Sequence, residues 1–131
     1  MNIEIYTNRL RTRLLEILKE KSLMFGDFKL SSGMRSNYYI DGKKTTLDPE
    51  GLFLTAEIIL DMIKNDRADA IGGPTLGADS IVGAVTSLSF LRNCPIQGFI
   101  VRKEPKGLFR RKENFSSRKT RTRFTVHYAQ L

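Results

Sequence analysis

Leu10, Leu14, Ile17 and Leu18 recur at i, i+4, i+7 and i+8, with Arg11, Arg13, Glu16, Lys19 and Glu20 between them. This is the pattern of a helix that buries one face and leaves the other in water, and it predicts a helix from about Ile5 to Lys21. Beyond it, Phe28 to Leu30 and Asn37 to Asp41 read as short strands around the turn Ser31-Ser32-Gly33-Met34-Arg35. Tyr38, Tyr39 and Ile40 supply side chains that favour extended backbone, so the segment is expected to form a hairpin-like hood. Asp48 stands where a helix N-cap belongs and Pro49 where a first helical residue belongs. Leu52, Ala56, Ile59, Leu60 and Ile63 then repeat at helical spacing, predicting a second helix to about Asn65.

The next stretch runs Ala68-Asp69-Ala70-Ile71-Gly72-Gly73, a short apolar strand ending in glycines, then Pro74-Thr75-Leu76-Gly77, then a nearly continuous apolar run from Ala78 to Leu91. Such a run suits a helix buried against a sheet, although periodicity alone does not separate it from a strand. Gln97 to Arg102 reads as a second apolar strand. Strand, glycine turn, helix and strand make a βαβ unit, whose ligand site lies at the carboxyl ends of its parallel strands. Gly72-Gly73 and Arg102-Lys103 both fall at such ends.

After Gly107 the texture changes to few aliphatics, many bases and no helical period. Thr122, Phe124, Val126 and Tyr128 alternate with Arg121, Arg123, Thr125 and His127, which allows a short amphipathic strand, but the composition is that of a disordered segment, the state expected. The expected organisation is therefore one partial domain over residues 1–107 and a basic, divergent, disordered tail over residues 108–131.

Charge sharpens this division. The formal net charge is +8, yet residues 1–107 hold 15 Lys and Arg against 13 Asp and Glu, while the tail holds 7 against Glu113 alone. The basicity belongs to the tail, so the charge does not by itself make nucleic acid an expected partner. No run has the roughly 20 apolar residues of a membrane span, and the charged start does not read as a secretory signal. A cytoplasmic location is expected. Cys94 is the single cysteine and His127 the single histidine. One thiol builds neither a disulfide framework nor a zinc cluster, and Cys94 is expected to be a small buried or half-buried side chain. His127 reads as incidental. No metal-ligand set and no catalytic residue can be picked out.

Three constellations carry candidate chemistry. In Gly72 to Asp79, small residues where a strand gives way to a helix let backbone N–H groups approach an anion beside a helix N-terminus; an ordinary βα turn has the same composition. Arg102-Lys103-Glu104-Pro105-Lys106 places three cations at a strand end, Arg as a planar fork and Lys as a mobile point charge, suited to phosphate or diphosphate. Phe28 to Tyr39 is dense in hydroxyls and bases and ends in aromatics. It suits either a planar anionic heterocycle or a hairpin whose rings pack on the first helix.

The wording and order of FGDFKLSSGMRSNYYIDGKKTTLDPEG, DAIGGPTLGADSIVGAV and FIVRKEPKG, from Phe25 to Lys106, resemble the first half of an orotate phosphoribosyltransferase. The resemblance implies an α/β fold, a phosphoribosyltransferase-like parallel sheet with flanking helices and an N-terminal hood, incomplete at the C-terminus. It implies transfer of ribose 5-phosphate from 5-phosphoribosyl 1-diphosphate to N1 of orotate with Mg²⁺, a step of pyrimidine biosynthesis, in a homodimer. Carried over by position, Ser31 to Tyr39 would cover orotate, with Tyr38 or Tyr39 against its ring; Ser31 falls where some relatives place a Lys. Thr75, Leu76 and Gly77 would form the loop under the diphosphate, and Arg102, Lys103 and Lys106 its cations.

The resemblance ends after Lys106. The family continues with a mobile loop, then two acidic residues and a Thr-Thr-Gly turn that hold the ribose and its 5-phosphate, whereas here the only acid after Glu104 is Glu113 and the only glycine after Gly98 is Gly107. Activity of this chain alone is not expected. A strand ending at Gly73 without its usual neighbours would become an edge beside exposed aliphatics, predicting marginal stability or aggregation. An abrupt switch to Arg-, Lys-, Ser- and Thr-rich text is also what translation in a shifted frame produces. The alternative reading is a regulator or RNA-binding module that uses Arg110 to Arg123, with Phe109, Phe115, Phe124 and Tyr128 for stacking.

Overall fold

The computed structural model describes residues 3–102 and 126–128. Helix α1 spans Ile3–Ile17 and its end widens into a π-helical turn over Leu18–Ser22. Ile17 and Ser22 are fully buried there. Ser22 Oγ lies 2.6 Å from Thr45 Oγ1, a buried hydroxyl pair that docks the turn against the short helix α2 (Lys43–Thr46). Four residues are too few to show a period, so α2 leaves no signature in the hydrophobic pattern.

The hood is an antiparallel hairpin of β1 (Leu23–Lys29) and β2 (Arg35–Ile40). Its strands are longer than the apolar pattern suggests. Pairing with β2 runs from Leu23 to Phe25 and resumes at Phe28, so the exposed Phe25, Gly26 and Asp27 belong to the strand although no apolar period marks them. The turn closes by Leu30 N donating to Met34 O and Gly33 N to Leu30 O, both at 2.8 Å. Gly33 takes φ +86°, a left-handed conformation in which a side chain is strained.

Helix α3 spans Pro49–Ile63 with the expected cap: Asp48 Oδ1 accepts from Gly51 N at 2.8 Å and Pro49 opens the first turn. Asp48 also pairs with the Lys21 ammonium, tying α3 to the end of the π turn. Strand β3 is Ala70–Pro74 and β4 is Gln97–Val101, parallel, in register from Ala70↔Gln97 to Pro74↔Val101. Helix α4 (Asp79–Leu91) makes the crossover. Ile81, Val82, Val85 and Ser89 are buried while Gly83 and Ser87 are exposed, a one-sided burial that settles the helical reading of this apolar run.

The core lies where α3, α4 and the sheet meet, around Ala56, Leu60, Ile63, Ile71, Ile81, Val82 and Val85. Each large aliphatic there contributes about 1.5–3 kcal/mol by leaving water. A Cβ on Gly98 would come within 2.7 Å of Thr86 Oγ1 on α4, and one on Gly72 within 2.3 Å of the Phe99 ring. Gly98 and its neighbour Ile71 therefore face α4, and Gly72 and Phe99 face the other side. Glu57 is an unexpected buried charge on α3, 4% exposed, and receives Arg92 from just beyond the end of α4. That hydrogen bond holds Arg92 above its ordinary pKa.

Two expectations are corrected. Strand β3 is not an edge: β5 (Val126–Tyr128) pairs with it in parallel, in register from Ala70↔Val126 to Gly72↔Tyr128, giving the order β4-β3-β5. These residues lie in the alternating part of the tail, and backbone pairing with β3 gives them the partner that composition could not reveal; the other residues of 108–131 lie outside the described set. Cys94 is exposed, not buried. It follows Asn93, whose φ of +55° turns the chain outward, and the buried position belongs to Ser89. Ser89 Oγ donates to Thr86 O at 2.7 Å and accepts from Ile96 N at 3.0 Å.

Candidate functional site

Two sets of residues are brought together, on two separate sheets. The first is in the hood. Met24 lies opposite Tyr39, and Phe25 opposite Tyr38, so the adjacent tyrosines face opposite sides of the hairpin. One extra residue in β1 between Phe25 and Phe28 makes a bulge, and by pairing alone Phe28 would share the face of Tyr38. The bulge re-aims it. The Phe28 and Tyr39 ring centroids are 5.6 Å apart at an interplanar angle of 36°.

These two rings, with Met24 and Leu30, wall a depression of about 640 Å³, and Ser31, Ser32 and Lys29 complete its lining. Aromatic and aliphatic walls with a few hydroxyls and one cation suit a planar, polar ring. Of the expected hood residues, Ser31 and Tyr39 line this space and Tyr38 does not. The cations around it are unequal. Arg35 is held by Asp27, with Nε 3.1 Å from Asp27 Oδ1. Lys44 Nζ lies against Met24 Sδ at 3.4 Å and is not among the lining residues. Lys29 belongs to the Phe28–Tyr39 constellation read from sequence but was given no role there, and Met24 was missed because it precedes the strand expected from the apolar pattern.

The second set lies at the ends of β3 and β4, neighbours because Pro74 pairs with Val101. Thr75 N donates to Val101 O at 2.9 Å, and Thr75 Oγ1 donates to Asp79 Oδ2 at 2.8 Å. The other Asp79 oxygen, Oδ1, is buried without a hydrogen-bond partner among the described residues. Leu76 is exposed and Gly77 half-buried on the way into α4, and the Thr75–Leu76 peptide is cis. No side chain among the described residues caps the start of α4, which leaves its first N–H groups to an anion, where the helix dipole also favours negative charge. Arg102 is exposed just past β4. Lys103 and Lys106 lie outside the described residues, as do the tail cations Arg110 to Arg123.

This arrangement of a parallel βαβ unit, an open helix N-terminus at the strand ends and a separate N-terminal hairpin is that of a phosphoribosyltransferase fold. The crystal structure of a phosphoribosyltransferase from Corynebacterium diphtheriae matches 79% of this chain and 56% of its own with a TM-score of 0.62 and 31% identity. In sequence the chain is similar to orotate phosphoribosyltransferases. It is 46% identical over 100 residues to the orotate phosphoribosyltransferase of Aquifex aeolicus, covering 74% of this chain and 55% of that one. The Mycobacterium tuberculosis orotate phosphoribosyltransferase, crystallised with 5-phospho-α-D-ribosyl 1-diphosphate, matches with a TM-score of 0.60 and 30% identity over 72% of this chain and 54% of its own. The chain spans about half the length of the curated relatives it matches. No protein-family model matches it.

Proposed function

We propose that this chain carries the orotate-side hood and the diphosphate loop of an orotate phosphoribosyltransferase. The whole enzyme would transfer ribose 5-phosphate from 5-phosphoribosyl 1-diphosphate to N1 of orotate and release diphosphate, as a step of pyrimidine biosynthesis. The observation that carries this reading is the hood depression, where the Phe28 and Tyr39 rings, 5.6 Å apart, stand beside the hydroxyls of Ser31 and Ser32. Its polar rim would hold the ring's carbonyl and carboxylate oxygens while Tyr39 covers one face.

In this reading Thr75, Leu76, Gly77 and the start of α4 cradle the diphosphate, and Arg102, Lys103 and Lys106 neutralise it. The leaving group gains charge as the ribose becomes cationic, so stabilising that charge matters more than a strong base. Magnesium is implied by the resemblance. Among the described residues no three His, Cys, Asp or Glu side chains gather into a group that could hold a metal, and no step is assigned to the ion. A homodimer and a cytoplasmic location also belong to this proposal. No helix among the described residues is long and apolar enough to cross a membrane.

The chain alone lacks the acidic pair and Thr-Thr-Gly turn that would hold the ribose phosphate, so it is expected to bind without turning over. Purified protein should bind orotate, read by quenching of its tyrosine emission in a chain without tryptophan. With both substrates and Mg²⁺ it should form no orotidine 5′-monophosphate. Product formation would overturn the assignment of inactivity, and absence of orotate binding would overturn the assignment of the hood.

A further inference from the structure

The depression in the hood has a charge asymmetry that its aromatic walls do not explain. Of the described residues that line it, Lys29 alone carries a charge, and Ser31 and Ser32 share the lining with it. The other hood cations are occupied elsewhere: Arg35 is paired with Asp27 across the hairpin, and Lys44 rests on the thioether of Met24. Lys29 is the last residue of β1, opposite Arg35 in the ladder, and is exposed. A four-carbon stem places an ammonium flexibly at the rim, where it can meet a carboxylate as a point charge.

We infer that Lys29 supplies the cation that pairs with the ring carboxylate of a planar anionic pyrimidine, so that this residue sets the preference for a carboxylated over an uncharged ring. The inference rests on the hood as the pyrimidine site and goes beyond it by assigning the charge recognition. Ser31 and Ser32 then act as neutral donors that orient the same group.

The test compares orotate with uracil, which lacks the carboxylate, on the full chain and on the variants Lys29→Met and Lys29→Arg, each titrated by tyrosine quenching and repeated at raised salt. Expected results are a roughly tenfold weaker affinity for orotate in Lys29→Met, unchanged uracil binding, and substantial recovery in Lys29→Arg, as loss of one charge-assisted contact requires. The orotate preference of the parent should also shrink with salt while uracil binding does not. If Lys29→Met keeps the parent's preference for orotate, the inference is wrong while the hood site stands. If neither ring binds the parent, the hood reading itself fails. Circular dichroism of each variant separates misfolding from lost recognition.

Discussion

Gly72 sits in the centre of the sheet, and replacing it by alanine tests whether β3 and β4 pack as described. The new methyl carbon would fall 2.3 Å from Phe99 Cε2, 2.4 Å from Cζ and 2.5 Å from Cδ2, well inside contact distance. An aromatic ring moves as a rigid plate, so all three atoms must clear together, and β4 is fixed by its ladder. Overpacking of this kind costs about 1–3 kcal/mol. Against it, Gly→Ala restricts the unfolded chain and returns about 0.4–1 kcal/mol. Steric cost wins, leaving a net loss of about 1–2 kcal/mol, or a melting temperature lower by roughly 4–8 °C for a chain of this size. Urea denaturation followed by circular dichroism should show a lower midpoint with an unchanged slope. The double variant Gly72→Ala/Phe99→Leu should be non-additive, with a coupling of about 0.5–3 kcal/mol, because both changes act on one contact. A Gly72→Ala protein as stable as the parent would refute the packing argument.

Two further outcomes follow from the hood and the ion pairs. Tyr39→Ala should weaken orotate binding about tenfold or more, while Tyr38→Ala, on the opposite face of β2, should leave it within a factor of two; equal losses at both positions would contradict the facing assigned by the ladder. Asp48 is held below its ordinary pKa by Lys21 and then by the Gly51 amide, Glu50 by Arg13, and Asp61 by Lys64 and then Thr7. Because these folded-state values are depressed, the stability they contribute is fully present above the ordinary values of 3.8 and 4.5 and is lost as pH falls through the folded-state values. The melting temperature should therefore drop on acidification below about pH 4, and the drop should be smaller in Asp48→Asn; an identical acid profile in the variant would exclude Asp48 as a contributor.

Much of the architecture was legible because its signals are local. Asp48 followed by Pro49 marks a helix start wherever it occurs, and the Asp48–Gly51 hydrogen bond is that signal realised. The alternation of apolar runs with Gly72-Gly73 and Gly77 likewise announced a βαβ unit, since a parallel pair needs a crossover and the crossover needs an exit turn. Glu57 was not legible. A glutamate at helical spacing reads as a solvated position, and only the arrival of Arg92 from just past the end of α4, 35 residues along the chain, makes its burial tolerable.

The sequence by itself determined the hood, the capped helix, the crossover and the resemblance that joins them, because side-chain period, capping chemistry and motif order all act over a few residues. Tertiary structure alone decided which tyrosine meets the ligand-sized space, that Lys29 lines it, and that β5 takes the second side of β3. Those outcomes depend on a one-residue bulge and on pairing between distant segments. A bulge reverses which face a side chain occupies without changing composition, and a strand partner is chosen by the backbone groups left open elsewhere.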